Sequence, residues 1–262
     1  MHDLRQNALS KVPEVTLAFW VVKIAATTLG ETGGDWVSMS LHLGYAVGSA
    51  IFVAVFIAAV IAQIGAKSFQ PFLYWSVVVA TTTAGTTMAD FADRSLGIGY
   101  AGGSAILLTL LLASLGAWYW SAGSVAVDTV KSHKVEAFYW VTILFSQTLG
   151  TALGDWMAGT DLNGLGLGYE YGALVFGAAL ALVAIGYYRT TVSRTLLFWA
   201  AFILTRPLGA TVGDLLDKPL ANGGFALSRS HASEVLVAFM VVCLLMFRQR
   251  AAAHAAPVRI DN

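Results

Sequence analysis

The chain has 262 residues, 57% of them hydrophobic and 11% charged, and its 15 Lys and Arg balance its 15 Asp and Glu. That balance excludes a basic nucleic-acid binder, and a single cysteine excludes an intrachain disulfide framework. The composition is that of an integral membrane protein with one transmembrane domain over 1–262 and no soluble domain.

A helix needs about 20 apolar residues to cross the hydrocarbon. Such stretches predict eight spans, at 13–34, 43–64, 70–91, 99–120, 136–157, 169–188, 194–214 and 226–247. The opening MHDLRQNALSKVPEV lacks the charged, apolar and cleavable regions of a signal peptide, so the first span is expected to be retained. Span 1 carries Lys23 and Glu31 and runs up to Asp35. Span 3 holds Thr82 and Asp90, with Asp93 just beyond, and span 5 holds Gln147 and Asp155. Span 7 contains Arg206, Pro207 and Asp214, with Asp217 just beyond. Pro207 is expected to break or kink its helix and free backbone carbonyls. Cys243 in span 8 reads as a small packing residue.

Basic residues collect at the N-terminus (Arg5, Lys11), in the even-numbered loops (Lys67, Lys131, Lys134, Arg189, Arg194) and in the tail (Arg248, Arg250, Arg259). The positive-inside rule then places both termini on the cytoplasmic side, with the segments after spans 1, 3, 5 and 7 facing outward. Tyr74, Trp75, Trp118, Trp120, Tyr139, Trp140, Tyr187 and Tyr188 read as an interfacial belt, with packing of some Trp between repeats as the alternative. His42 and His231 read as surface residues on the outward side.

Trp20, Trp75, Trp140 and Trp199 each begin one pattern, W-x9-G-x3-[GA]-D. It passes through Gly30, Gly85, Gly150 and Gly209 and ends at Asp35, Asp90, Asp155 and Asp214. Four gap-free copies define an internal duplication, with repeats at about 11–64, 70–120, 135–188 and 194–247. Each is read as a two-span hairpin, so the fold is all-α, eight transmembrane helices arranged as four two-helix units of one orientation. The paired small residues permit close helix contact, which predicts that the odd spans pack inside with their four Asp at one depth.

On this Trp and this G-x3-[GA]-D ending, over roughly 11–247, the chain resembles bacterial membrane proteins built from four tandem copies of a two-span repeat of unknown function, the DUF347 repeat. The resemblance implies a fold and a place in a bacterial inner membrane, and no substrate.

Each Asp alone has two readings: a cap at a Gly-rich turn, or a ligand. Four at one depth, with Asp93 and Asp217 close by, favour a cation site, because carboxylate oxygens suit Mg2+, Ca2+ and Mn2+ and neighbouring carboxylates can also trade protons. The metal layer is expected at Asp35, Asp90, Asp155 and Asp214, with Glu31 as the proton-coupled member. Lys23 lies two turns before Glu31 and can pair with it. Arg206 is expected to neutralise Asp214, and together with Gln147, Thr27 and Thr82 it makes one polar layer in all four copies; Lys23, Arg206 and Gln147 are thus candidate gating or charge-neutralising residues. No nucleotide-binding loop or nucleophile motif occurs, so no enzyme activity and no cofactor are expected. The expected function is a secondary transporter of a small cation, a Mn-like divalent metal exported in exchange for protons. A proton or monovalent-cation channel with an Asp-lined outer vestibule is the alternative. The lipid bilayer is its surrounding, and self-association into a homo-oligomer is left open.

Overall fold

The computed structural model describes residues 10–252; Arg5 and Arg259, counted in the charge asymmetry, lie outside the described residues. Within them lie eight long helices: α1 (Leu17–Asp35), α2 (Gly44–Gly65), α3 (Pro71–Asp90), α4 (Tyr100–Ala122), α5 (His133–Ala158), α6 (Gly168–Arg189), α7 (Arg194–Asp217) and α8 (Arg229–Met246). Each of the eight apolar stretches has become a helix. One π-helical turn extends α1 (Trp36–Ser40) and another extends α3 (Phe91–Ser95), so the first two repeats end differently from the last two.

Local chemistry explains where the odd-numbered helices start. The Thr16 hydroxyl accepts the Phe19 N–H, Ser132 accepts from Val135 and Ser193 from Leu196, while α3 starts on Pro71, which has no N–H to satisfy. The even-numbered helices α4 and α6 begin instead at the paired glycines of LGIGY and LGLGY, where Gly97, Gly99, Gly166 and Gly168 all have positive φ. His42 takes the same left-handed conformation before α2 and is exposed, as is His231, so both are surface residues.

Five helices, α2, α4, α6, α7 and α8, are long and apolar enough to cross a membrane. The other three, α1, α3 and α5, are diluted by Thr, Gln and acidic residues, almost all of them buried. Packing accounts for this division. Helices α1, α3, α5 and α7 close into an inner ring, each touching the next and α7 returning to α1. The even helices lie outside and expose rows of Ile, Leu and Val. Each packs chiefly on the inner helix of the following repeat: α2 on α3, α4 on α5, α6 on α7, and α8 back on α1. The expected two-span hairpin is therefore a unit of chain more than a unit of packing.

The small residues of the repeat make this ring. A Cβ added at Gly30 would collide with Thr82, one at Gly85 with Gln147 and Thr148, one at Gly150 with Arg206, and one at Gly209 with Thr27. Every glycine thus meets the polar layer of the next repeat, and removing its side chain is what lets the backbones approach. The Trp end closes by the same cyclic rule. Phe19 stacks on Trp75 at 5.4 Å, Tyr74 on Trp140 at 5.5 Å, Tyr139 on Trp199 at 6.5 Å and Phe198 on Trp20 at 5.8 Å. The predicted aromatic belt therefore divides. Tyr74, Trp75, Trp118, Tyr139 and Trp140 are buried between repeats, while Trp120, Tyr187 and Tyr188 stay exposed.

Below the aromatics, the chain ends cross each other. Backbone bonds join Ser10 and Val12 to Ala252, and the Lys11 ammonium pairs with Glu136 at 2.7 Å. Helix α7 runs on through Pro207 to Asp217, so of the expected break or kink the break does not occur. The ring of Pro207 fits against Gly150 of α5, and neighbouring helices commonly support a proline at membrane depth.

Candidate functional site

Three polar layers stack inside the ring between the aromatic end and the Asp end. Counted from each repeat's Trp, the seventh residue is Thr27, Thr82, Gln147 or Arg206, the eleventh is Glu31, Thr86, Thr151 or Ala210, and the fifteenth is Asp35, Asp90, Asp155 or Asp214. All four Thr are buried, as are Gln147, Arg206, Glu31 and the four Asp.

Arg206 links two of these layers. Its Nη2 lies 2.9 Å from Glu31 Oε2, 2.6 Å from Thr86 Oγ1 and 2.5 Å from Thr151 Oγ1, so its two N–H groups are shared among three acceptors. One guanidinium from repeat 4 thus binds the eleventh residue of each of the other three repeats. Its own repeat has Ala210 at that place, which leaves room on α7 for the arrangement. The expected neutralisation of Asp214 by Arg206 is therefore corrected: the guanidinium pairs with Glu31 on the neighbouring helix α1, and Asp214 is met by Lys218.

Lys23 does not pair with Glu31 either. Its ammonium lies 4.1 Å from the centre of the Phe202 ring and donates to Thr205 Oγ1 at 3.4 Å, a whole layer closer to the Trp end. Sequence spacing put Lys23 and Glu31 on one face of α1, but Arg206 already occupies the space beside Glu31.

The four aspartates are brought to one end and divided into two pairs. Arg94 donates to Asp90 at 2.9 Å and lies 3.8 Å from Asp155. Lys218 lies 3.0 Å from Asp214 and pairs with Asp35. Each cation therefore joins the Asp of its own repeat to that of the next. Arg229 adds contacts to Asp217 at 3.4 Å and Asp35 at 3.8 Å, and Arg94 also reaches the exposed Asp161 at 2.9 Å. None of the four side chains accepts a bond from a helix-end N–H, so the capping reading fails.

Charge at the rim follows from these contacts. Burial alone would lower the Lys218 pKa, but Asp214, Asp35 and Asp217 outweigh it and hold the ammonium well above its ordinary value. Partial burial would raise Asp161, but Arg94 and the Tyr100 hydroxyl outweigh it and hold the carboxyl below the usual range. Asp93, on the π-helical turn, is wedged against Gly103 with both oxygens lacking a donor among the described residues, and burial pushes its carboxyl up to about 6.

Two groups of carboxylate oxygens converge within 4.8 Å of one another: Glu31, Asp155 and Asp214, and nearer the rim Asp35, Asp214 and Asp217. Asp214 belongs to both. Oxygens at such spacing can share a cation bonded at about 2–2.6 Å. Of the residues marked out by the sequence, Glu31, Asp35, Asp155, Asp214 and Asp217 are thus gathered together. Asp90 is held apart in the Arg94 clamp, Asp93 stands alone, and Lys23 and Gln147 lie in the inner half. Sequence reasoning missed Arg94, Lys218, Arg229, Thr86 and Thr151. The first two had a signal, since each follows its Trp by nineteen residues and completes D-x2-D-[RK] in repeats 2 and 4.

The model of the Repeat of Unknown Function (DUF347) matches the chain four times, at residues 18–69, 73–124, 138–193 and 197–251. Each match begins two residues before a repeat's Trp, so four tandem units are independently delimited. No curated protein and no solved structure matches the chain.

Proposed function

The chain belongs to the DUF347 repeat family, and from that premise we propose that it is a secondary transporter of a small cation, a divalent metal of the Mn2+ kind exported in exchange for protons. All eight helices cross a bacterial inner membrane, the four units in one orientation, with the termini cytoplasmic and the aspartates outward. The burial pattern supports this: the polar faces of α1, α3 and α5 point into the ring, and the apolar outer helices stand between them and lipid.

The charge balance of the core carries the proposal. From Lys23 outward it contains seven buried carboxylates: Glu31, Asp35, Asp90, Asp93, Asp155, Asp214 and Asp217. Facing them are five cations: Lys23, Arg94, Arg206, Lys218 and Arg229. At least two negative charges are left over, since Arg94 is also shared with the exposed Asp161, and one divalent cation or two protons would balance them. Unbalanced charge at membrane depth costs at least about 2.5–3.5 kcal/mol per group, so the balance favours a core that holds one or the other. Alternate filling by metal and by protons is exchange transport. Glu31, Asp155 and Asp214 would form the deep station and Asp35, Asp214 and Asp217 the rim station.

The channel reading is weaker, because the Arg206 guanidinium ties three repeats together on the axis that an open pore would need. Purified protein in sealed vesicles decides between them. Mn2+ movement that saturates and is driven by a pH gradient is the expected result. Current insensitive to an opposing pH gradient would favour a channel, and no movement of Mn2+, Mg2+, Zn2+, Co2+ or Ni2+ would end the metal reading.

A further inference from the structure

We infer that the inner half of the ring holds a chain of internal water molecules running from the Arg206 layer toward the Tyr74–Tyr139 hydroxyl pair. Its role as the cytoplasmic half of a proton path rests on the transport reading above; its existence does not.

The observation is a stripe of polar side chains on α5 that have nothing to bond. Thr142 Oγ1, Ser146 Oγ and both side-chain polar atoms of Gln147 are fully buried and lack a partner among the described residues. Hydroxyls on the inner helices normally turn back to a carbonyl three or four residues earlier. Thr27, Thr28, Thr82, Thr83, Thr148 and Thr205 all do so. Thr142 and Ser146 do not, so their buried hydroxyls are left for a partner other than their own helix.

Tyr139, Thr142 and Ser146 are spaced i, i+3, i+7, one face of α5, and cover about 10 Å at about 1.5 Å per residue. At the lower end the Tyr139 hydroxyl meets that of Tyr74 at 2.6 Å. At the upper end Gln147 stands in the layer of Arg206, whose Nε is also unpartnered. Across the ring, Lys23 has three N–H groups and one hydrogen bond, to Thr205 at 3.4 Å. Buried polar groups this numerous are satisfied by water, which needs two to four polar partners per molecule, and this stripe supplies them at regular intervals.

The repeat makes the stripe specific to α5. The positions equivalent to Thr142 are Val22, Val77 and Ala201, and those equivalent to Ser146 are Ala26, Thr81 and Thr205. Only repeat 3 is polar at both. Water in such a row accepts a proton at one end as it releases one at the other, so a proton crosses without a side chain being carried along.

Two measurements on the full chain in phosphatidylethanolamine–phosphatidylglycerol vesicles test this. Short X-ray exposure generates hydroxyl radicals from bound water, and mass spectrometry then reads labelling at Tyr139 and Phe202, both without solvent exposure. Labelling of both is expected, with a severalfold fall in the double variant Thr142→Val/Ser146→Ala, which keeps the side-chain volumes close to the original. The second measurement is proton flux driven by a Mn2+ gradient. It should fall about tenfold in the double variant, equivalent to about 1.4 kcal/mol on the barrier. Mn2+ binding by calorimetry should be unchanged. Absence of label at Tyr139 in the parent protein overturns the inference. So does a double variant with a higher Tm and unaltered label and flux, since the hydroxyls would then be no more than poorly satisfied packing. If the parent protein moves no Mn2+, the transport reading fails and the labelling alone still decides whether the water is there.

Discussion

The centre of the ring and its Asp end use the same chemistry, cation against carboxylate, in opposite ways. At the centre one guanidinium from repeat 4, completely buried, holds Glu31 and the Thr of repeats 2 and 3. At the rim two cations from opposite repeats, Arg94 and Lys218, each bridge a pair of aspartates, and their side chains are 30% and 13% exposed. The centre is asymmetric and sealed, whereas the rim is nearly twofold and reached by water. A buried pair is expensive to break, while a wetted one can exchange partners, so the contrast separates a structural tie from a site able to release an ion.

The strongest test of this contrast removes the tie. Arg206→Gln should destabilise by about 3–5 kcal/mol, because Glu31 is left charged and unpaired. Adding Glu31→Gln should recover much of that loss, read as Tm in detergent. If the single and double variants melt together, the centre is not a tie. Next comes the close approach that seats the guanidinium. Gly150→Ala puts a methyl group against the Arg206 stem and should cost about 1–3 kcal/mol. An unshifted Tm would mean that the ring has slack there.

At the rim the expected effects are smaller and depend on pH. Burial raises the Asp93 carboxyl from 3.8 to about 6. A group whose folded pKa is raised gives stability that is complete below its unfolded value and is lost as pH rises through the folded one. Tm should therefore decline from about pH 4 to about pH 6, and Asp93→Asn should flatten that decline. A variant that follows the parent curve would remove Asp93 from the account. Asp161 has the opposite sign, since its folded pKa is lowered. Its contribution is present above the ordinary value near 3.8 and disappears as pH falls through the folded pKa. The carboxylate is more than half exposed, so Asp161→Asn should change stability by less than about 1 kcal/mol at neutral pH, and high salt should erase even that.

Much of this was legible beforehand because the repeat is a statement about geometry. W-x9-G-x3-[GA]-D marks which helices lie inside, where their backbones touch and where the carboxylates stand, and one helix period suffices to see that. Partners across the ring could not be seen the same way. Lys23 and Glu31 share a face of α1, yet the ammonium turns to Phe202 and the carboxylate to Arg206, 175 residues away. Arg206 precedes Asp214 by two turns of one helix, but its Nη2 finds its acceptors on the other three inner helices, in Glu31, Thr86 and Thr151. The D-x2-D-[RK] agreement between repeats 2 and 4 was visible in the residues, and only the fold gives it meaning.

By itself the sequence determined that the chain is helical and membrane-like, built of four units, with an acidic end and an aromatic end. Composition and a gap-free repeat are one-dimensional properties, and they act on each helix separately. The tertiary structure decided which cation meets which carboxylate, that the outer helices pack on the following repeat, and that Arg94 bridges Asp90 and Asp155 while Lys218 bridges Asp35 and Asp214. Those outcomes depend on the cyclic offset between repeats. Glycine in one helix admits the polar layer of the next, and the side chain that fills that gap, Thr, Gln or Arg, sets the electrostatics of the whole ring.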